Sequence, residues 1–226
     1  MNEITLKSSG IKNYIVETFG TKIKKDGFAY KKTDNEFVLR DGDYKFIFNI
    51  ELTAWSNGYQ LNVKLIISQK QIEDILEAIL GKQRHRVTLG QSMLERLYYS
   101  PDGRKNGNGD SLAIWIARNA DVLLFDKVLE SYYQNIAKPY FKLFSKLEAF
   151  DDYMNKPPFE YPPAYVGGMY NNRCMKGLIV AKLVKNPGYD KLVAIYNDEI
   201  KKTISDVQSD SEENYIKVRE YLARNY

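Results

Sequence analysis

Two runs of alternating apolar residues, separated by an Asn-Gly pair, constrain the fold of this chain more than any other feature. Apolar side chains occupy every second position on both sides of Asn57-Gly58, at Tyr44, Phe46, Phe48, Ile50, Leu52, Tyr59, Leu61, Val63, Leu65 and Ile67. An Asn-Gly pair suits the tight turn of a hairpin, and period-two alternation is typical of strands with one buried face. The sequence therefore predicts a long antiparallel hairpin, with Trp55 beside its turn.

Shorter elements precede this hairpin. Residues 27–43 contain two further extended runs that are separated by turn residues, so the sheet is predicted to be a four-stranded antiparallel meander. A first helix is predicted with Ser8 and Ser9 as its capping candidates and Gly27 as its stop. Its apolar residues recur every four positions, at Ile11, Ile15, Phe19 and Ile23.

The middle of the chain is less regular. A second helix is predicted to open at Ser68, with Gln71 in capping-box spacing, and to end at Gly81. Residues 85–99 fit a helix and a strand equally well, and periodicity alone does not decide between them. Residues 112–117, with the sequence LAIWIA, are predicted to form a buried strand.

Helical periodicity dominates after Asn119 and is interrupted at Pro139, which predicts two successive helices. The four prolines of KPPFEYPPAYVGG exclude a helix interior and a central strand, so this segment is the predicted boundary. A helical hairpin broken at residues 186–188 follows, and a last helix is predicted to start at Asp210.

These elements predict an α+β protein in which an antiparallel meander sheet is packed by an N-terminal helix and by the helices that follow it. The predicted division is an α+β domain at 1–156, a Pro-rich connector at 157–172 and a helical extension at 173–226.

Composition limits the function classes. The 226 residues carry 33 Lys and Arg against 29 Asp and Glu, a net charge of +4 that does not resemble that of a polyelectrolyte binder. One cysteine and one histidine cannot make an internal disulfide or a four-ligand zinc site of the usual kind. Neither a secretory signal nor a run of about 18 apolar residues is present, so we expect a cytoplasmic protein with no membrane segment. No cofactor is predicted.

Few residues are suited to catalysis. His85 lies between Arg84 and Arg86, and two adjacent cations make it a poor base, so the run is predicted to be an exposed connector or a small anion-binding patch. Cys174 is predicted to be a buried small hydrophobe, with a reactive thiol next to Arg173 as the alternative. No catalytic residue is assigned, and an unrecognised hydrolase stays an alternative function.

The loop SPDGRKNGNGDS, from Ser100 to Ser111, is predicted to be a connector. It lacks the GK[ST] ending of a phosphate-binding loop. Ser111 and Ala117 stand where a calcium loop requires Gly and a bidentate Glu. No metal site is therefore predicted.

Two kinds of partner are considered. The run TKIKKDGFAYKK interleaves five lysines with Phe28 and Tyr30, which would suit single-stranded nucleic acid, although the balanced charge elsewhere makes a nucleic-acid-binding module only an alternative. Large rings outside a ladder favour a protein partner instead. Trp55 beside the hairpin turn, and Tyr161 and Tyr165 on the proline segment, are the candidate partner-binding residues.

The order of an N-terminal helix, the run KKDGFAYKKTDNEFVLR with Gly27-Phe28, and a long alternating hairpin resembles an uncharacterised bacterial domain family over about residues 1–135. Some relatives of that family are grouped with immunity proteins of polymorphic toxin systems. The resemblance implies an antiparallel sheet and no catalytic residues. We therefore expect a non-catalytic, cytoplasmic, immunity-like protein that binds another protein, and its oligomeric state stays open.

Overall fold

The alternating runs form the two longest strands of an antiparallel sheet, as predicted. The computed structural model describes residues 7–82, 86–92, 114–156, 170–203 and 209–226. The meander consists of four strands: β1 Ala29–Lys31, β2 Glu36–Asp41, β3 Tyr44–Trp55 and β4 Gly58–Gln69. Register follows the alternation, since the apolar Phe37 of β2 lies opposite Phe48 of β3. One face of the meander is thereby made apolar.

Two short strands complete the sheet. They are β5 at Leu89–Ser92 and β6 at Ile114–Ile116. The strand order is β1-β2-β3-β4-β5, and β6 also pairs with β4. The strand β6 runs antiparallel to the beginning of β4, with Trp115 opposite Gln60. The ambiguous segment 85–99 therefore contributes a strand at 89–92, and its residues from 93 onward lie outside the described part of the chain.

Helices occupy most of the remaining described residues, which confirms the predicted α+β class. They are α1 Ser8–Lys24, α2 Lys70–Leu80, α3 Asn119–Tyr132, α4 Lys138–Leu143, α5 Leu147–Asn155, α6 Tyr170–Leu183, α7 Tyr189–Thr203 and α8 Ser209–Asn225. Within the described ranges, no helix has both the length and the apolar composition that crossing a membrane requires.

The chain forms two compact units that alternate along the sequence. Unit 1 comprises Met1–Ile66 and Gln91–Lys142, and unit 2 comprises Ile67–Gly90 and Leu143–Tyr226. The sequence predicted three consecutive segments instead, and that division stays a prediction. Most of the predicted Pro-rich connector, residues 157–169, lies outside the described ranges.

The core of unit 1 is aromatic. The ring of Phe19, on α1, lies 5.1 Å from the ring of Phe48 and 5.6 Å from that of Phe37, both on the sheet. The ring of Tyr133 lies 5.8 Å from that of Phe19 and 6.0 Å from that of Phe48. Such edge-to-face and tilted contacts add specific geometry to the burial of apolar surface, and they fix α1 against the sheet.

The core of unit 2 surrounds α6, whose residues from Arg173 to Ala181 are all buried. Burial on every side requires a close approach by neighbouring helices, and Gly177 permits it. A Cβ atom at Gly177 would lie 2.8 Å from both Asn155 Oδ1 and the Tyr196 hydroxyl. In its absence, Asn155 donates to the Gly177 carbonyl at 2.9 Å.

The predicted helix caps are wrong in detail. The N-cap of α1 is Lys7, which makes no side-chain cap, and Ser8 is already helical. The N-cap of α2 is Gln69 and not Ser68, because β4 continues through both residues and the Gln69 side chain accepts the N–H of Ile72 at 2.9 Å. The stop at Gly81 is confirmed, with a φ of 80° that favours glycine.

The predicted helix break at Pro139 is also wrong. A π-helical segment, Tyr133–Ala137, connects α3 directly to α4, and Pro139 is the second residue of α4. The N–H of Lys138 reaches back to the Tyr133 carbonyl, so the wider π turn carries the helix past a residue that has no N–H. The two adjacent tyrosines Tyr132 and Tyr133 are both buried as a result.

Candidate protein-binding surface

Trp55, predicted beside the hairpin turn, is the last residue of β3 and is 57% exposed. Alternation along the strand explains why the Trp55 side chain faces solvent. Phe48 and Ile50 are buried, whereas Glu51 and Thr53, which alternate with them, are exposed. Trp55 continues this exposed row, so its ring lies outside the aromatic core.

A second tryptophan lies beside it. The rings of Trp55 and Trp115 have centroids 6.4 Å apart at an angle of 43°, and Trp115 is 38% exposed. The prediction of a buried strand at 112–117 is therefore wrong at Trp115, although the strand is confirmed over Ile114–Ile116. Residues 112 and 113 lie outside the described part of the chain. Ile116, the neighbour of Trp115, is fully buried. Period-two alternation would have identified Trp115 as solvent-facing, had the pairing of β6 with β4 been known.

Gly58 allows the two tryptophans to meet. Its φ is 153°, and a Cβ atom at this position would lie 2.6 Å from the Ile116 carbonyl oxygen and 3.0 Å from Trp115 Nε1. No side chain fits between β4 and β6 at this point. The glycine of the predicted turn thus also brings Trp115 against the end of the hairpin.

Two ion pairs are found on the described residues of the elements that carry or follow the two tryptophans. On the exposed face of the hairpin, Lys64 Nζ lies 2.7 Å from Glu51 Oε1. After β6, Arg118 Nη2 lies 3.2 Å from Asp121 Oδ1. We call Trp55 and Trp115, two exposed rings in contact, the tryptophan pair.

The other predicted partner-binding residues, Tyr161 and Tyr165, lie outside the described residues. So do His85 and the loop from Ser100 to Ser111. Of the three candidate residues, the structure thus places Trp55 alone, and Trp115 was not among the candidates predicted from the sequence.

A buried polar cluster in unit 2 is the arrangement closest to catalytic chemistry. Glu73 on α2 accepts a hydrogen bond from the Thr88 hydroxyl at 2.7 Å and lies 3.1 Å from Lys176 Nζ on α6. Thr88 in turn accepts the Gln69 N–H at 2.9 Å, and Lys176 also donates to the Val87 carbonyl. Sequence reasoning missed this cluster, because isolated charges on helices usually face solvent.

This cluster is built as a structural element. The side chains of Glu73 and Lys176 are 1% and 4% exposed, so no substrate reaches them. Burial lowers the pKa of Lys176, and the nearby Glu73 carboxylate partly opposes that shift. Two buried charges are stable only when they compensate each other. The cluster thereby connects α2, α6 and the chain before β5.

Cys174 is the buried small residue that the sequence favoured. It is fully buried on α6, and burial raises the pKa of its thiol to about 12. The neighbouring Arg173 lowers the pKa by a smaller amount and donates to the Met154 carbonyl at 3.1 Å. The thiolate required for nucleophilic or redox chemistry is therefore not populated at neutral pH.

Two of the five lysines in the run considered for nucleic acid, and one of its two aromatic rings, are used within unit 1. Lys22 lies 2.7 Å from Glu130, and Lys31 pairs with Asp34. Phe28 is buried at 4% exposure, so it offers no face to a base. One of the two rings that suggested stacking is thus used within unit 1, whereas Tyr30 is half-buried.

Among the described residues, no group of three or more His, Cys, Asp or Glu side chains is arranged to hold a metal ion. Comparison with known proteins gives no match to a family model, to a curated protein or to a solved structure. The resemblance to the immunity-related family therefore stays an expectation, and function has to be argued from the site alone.

Proposed function

We propose that this chain is a non-catalytic protein-binding module and that the tryptophan pair is the centre of its contact surface. The observation that supports this proposal is the adjacency of two large, exposed rings, Trp55 at 57% and Trp115 at 38%. Exposed tryptophan is costly in water and is enriched among the residues that dominate binding energy in protein interfaces.

The surroundings favour a protein over a nucleic acid. Lys64 on β4 and Arg118, three residues after Trp115, are each paired with a carboxylate, so they do not supply the free positive charge that phosphates require. Interface cores are typically aromatic and poor in unpaired charge, with a polar rim. Two adjacent exposed rings and the ion-paired charges of Lys64 and Arg118 fit that description.

A cytoplasmic location and an immunity-like role are parts of the same proposal. The free, buried thiol of Cys174 is compatible with a reducing compartment. The immunity-like role rests on the sequence resemblance and would make the partner a toxin protein.

Photo-crosslinking tests the proposed surface. A benzophenone amino acid replaces Trp55 in one variant and Trp115 in another, and the proteins are expressed in the native host. Lys127, an exposed residue of α3 in the same unit, is the matched control position. We expect the same protein to be captured from both tryptophan positions and not from Lys127.

The captured protein is then purified and titrated with the variants Trp55→Ala and Trp115→Ala. A contact hot spot predicts that affinity falls by about tenfold or more, while the unfolding free energy falls by no more than ~1 to 2 kcal/mol. If both variants bind the partner as the native protein does, the surface lies elsewhere. If no protein is captured specifically from either position, the proposed function is wrong.

A further inference from the structure

A groove separates α1 from the edge of the sheet in unit 1. It consists of two adjoining cavities of about 510 and 370 Å³ that share Val16 and Tyr30 in their linings. On the helix side the lining extends from Ser9 to Lys24, which corresponds to roughly 22 Å along the helix axis. An extended segment of about seven residues has the same length.

The strand that borders this groove is an edge strand. Within the described sheet, β1 has β2 as its only strand neighbour, with Tyr30 opposite Phe37. The other side of an edge strand presents backbone N–H and C=O groups that another strand can pair with. Residues of α1 and of β1 line the same groove, so a chain entering it would meet both the helix and the edge strand.

The floor of the groove is apolar at one end. Phe28 and Phe37 are buried there, and Gly20 on α1 replaces the side chain that would otherwise cover them. A Cβ atom at Gly20 would lie 3.1 Å from Phe37 Cε1. Tyr30 is half-buried, its hydroxyl donates to Asn35 Oδ1 at 3.2 Å, and burial raises its pKa. The exposed lining of the cavity at this end is mostly apolar, which suits apolar side chains of an occupant even though it offers no open ring face.

The rim of the groove is basic. Lys12 and Lys32 line one cavity and Lys24 lines the other, whereas Glu17 is the one carboxylate in either lining. In the described part of the chain none of these three lysines forms a salt bridge, unlike Lys22 and Lys31 close by. The groove therefore carries uncompensated positive charge.

We propose that this groove binds an extended, acidic segment of a partner protein, which adds to the sheet as a strand beside β1. Strand addition uses the open edge of β1 for backbone hydrogen bonds, and alternate side chains of the segment enter the apolar floor. The lysines on the rim attract carboxylates and exclude basic segments. This site is separate from the tryptophan pair and does not depend on its function.

Single-stranded nucleic acid carries the same charge but fits the groove less well. Bases need exposed ring faces, and Phe28 is buried while Tyr30 is half-buried and held by Asn35. The groove instead offers a strand edge, which a nucleic acid cannot use. Nucleic acid is therefore the competing occupant that the experiment has to distinguish.

The probe is a fluorescent peptide of alternating valine and glutamate, about eight residues long, titrated against the full chain. Four comparison probes are used. One is a peptide of alternating valine and lysine, two are forms of the valine–glutamate peptide N-methylated at odd or at even positions, and one is an oligo-deoxythymidine. We expect binding of the acidic peptide that weakens as salt rises, and no binding of the lysine peptide. One N-methylated form should bind and the other should not, because only one set of N–H groups faces the strand.

The protein variant is Lys12→Glu/Lys24→Glu/Lys32→Glu, with Lys127→Glu/Lys146→Glu/Lys191→Glu as the control. All three control lysines are exposed, and none of them forms a salt bridge with a described residue. The first variant should weaken peptide binding by about tenfold or more and the control by less than about twofold. The variant Trp55→Ala/Trp115→Ala should bind the peptide normally, which separates this proposal from the proposed function.

Amide shift mapping on the native chain gives a second measurement that needs no variant. We expect the peptide to move the amide signals of Ala29–Lys31 and of the α1 residues that line the groove. The proposal is overturned if both N-methylated forms bind equally, if the oligonucleotide binds more tightly than the peptide, or if the shifts fall elsewhere. Self-association by sedimentation that disappears in the groove variant would identify a second copy as the occupant and would also overturn it.

Discussion

Lys176 Nζ lies 3.1 Å from Glu73 Oε1, and the two side chains are 4% and 1% exposed. Their elements are about a hundred residues apart in the chain, so this ion pair forms only when unit 2 is folded. Removing either charge alone leaves the other without compensation in a medium of low polarity.

We therefore expect Lys176→Met to lower the free energy of unfolding by about 3 to 5 kcal/mol. The double variant Lys176→Met/Glu73→Leu should recover most of that loss, because apolar side chains of similar volume replace both charges. Urea unfolding followed by circular dichroism measures both. The control Lys191→Met changes an exposed lysine and should cost less than about 0.5 kcal/mol. A single variant as stable as the native protein would show that the pair is not buried in solution.

Asp26 provides a pH-dependent contribution in unit 1. Lys138 lies 2.9 Å from this carboxylate and Tyr133 donates to it at 2.8 Å, and together they hold the pKa of Asp26 below its ordinary value of 3.8. The contribution is complete above the unfolded-state pKa and is lost as the pH falls below 3.8, through the lower folded-state pKa.

Asp26→Asn should consequently reduce stability at pH 7 by about 0.5 to 1 kcal/mol, a value kept small because Lys138 is half exposed to solvent. The difference between variant and native protein should disappear as the pH is lowered through and below 3.8. Thermal melts at a series of pH values measure this difference. The control is Asp41→Asn, which changes an exposed aspartate. A difference that stays constant with pH would contradict the assignment to charge.

Alanine substitutions at Gly58 and Gly42 distinguish the cost of steric contact from the cost of backbone strain. Both glycines have positive φ values, 153° and 53°, but a Cβ atom at Gly42 would meet nothing within 4 Å, whereas at Gly58 it would lie 2.6 Å from a backbone oxygen. Gly58→Ala should destabilise the protein by about 1 to 3 kcal/mol more than Gly42→Ala does. Chemical denaturation of the two variants tests this, and equal losses would show that β6 does not approach β4 so closely.

Intrinsic fluorescence reports directly on the tryptophan pair, because Trp55 and Trp115 are the two tryptophans of the sequence. Both rings are exposed, so emission from the native protein should already be close to that of the unfolded chain and should be quenched readily by acrylamide. Trp55→Phe and Trp115→Phe assign the signal to each ring. Strongly blue-shifted emission that moves red on unfolding would show that something covers the rings.

The regular part of the fold could be predicted because it depends on local patterns. Alternation around Asn57-Gly58 identified β3 and β4, and four-residue spacing identified α1. The caps were mistaken where a strand continued into the expected cap, as at Ser68. The break expected at Pro139 was mistaken because a π-helical turn, which leaves no trace in apolar spacing, accommodates the proline.

The candidate site was only half predictable for a different reason. The exposure of Trp55 followed from its place beside a turn, within one hairpin. Trp115 joins it through the pairing of β6 with β4, a contact between residues more than fifty positions apart. The burial of Glu73 likewise depends on a distant helix. Local periodicity reports on neighbouring residues only, so it could not predict the contact of Trp55 with Trp115 or the burial of Glu73.

The alternation of the two units along the chain has a consequence for biosynthesis. Unit 1 takes residues from both sides of Ile67–Gly90, so no single truncation or proteolytic cut yields either unit with all of its residues. During translation the hairpin leaves the ribosome well before Gln91–Lys142. Its apolar face therefore stays uncovered until Tyr133 and the rest of that segment have been synthesised. Nascent chains released before residue 142 should therefore depend on chaperones. Circular permutation does not make either unit contiguous, because the segments of the two units still alternate when the chain ends are joined.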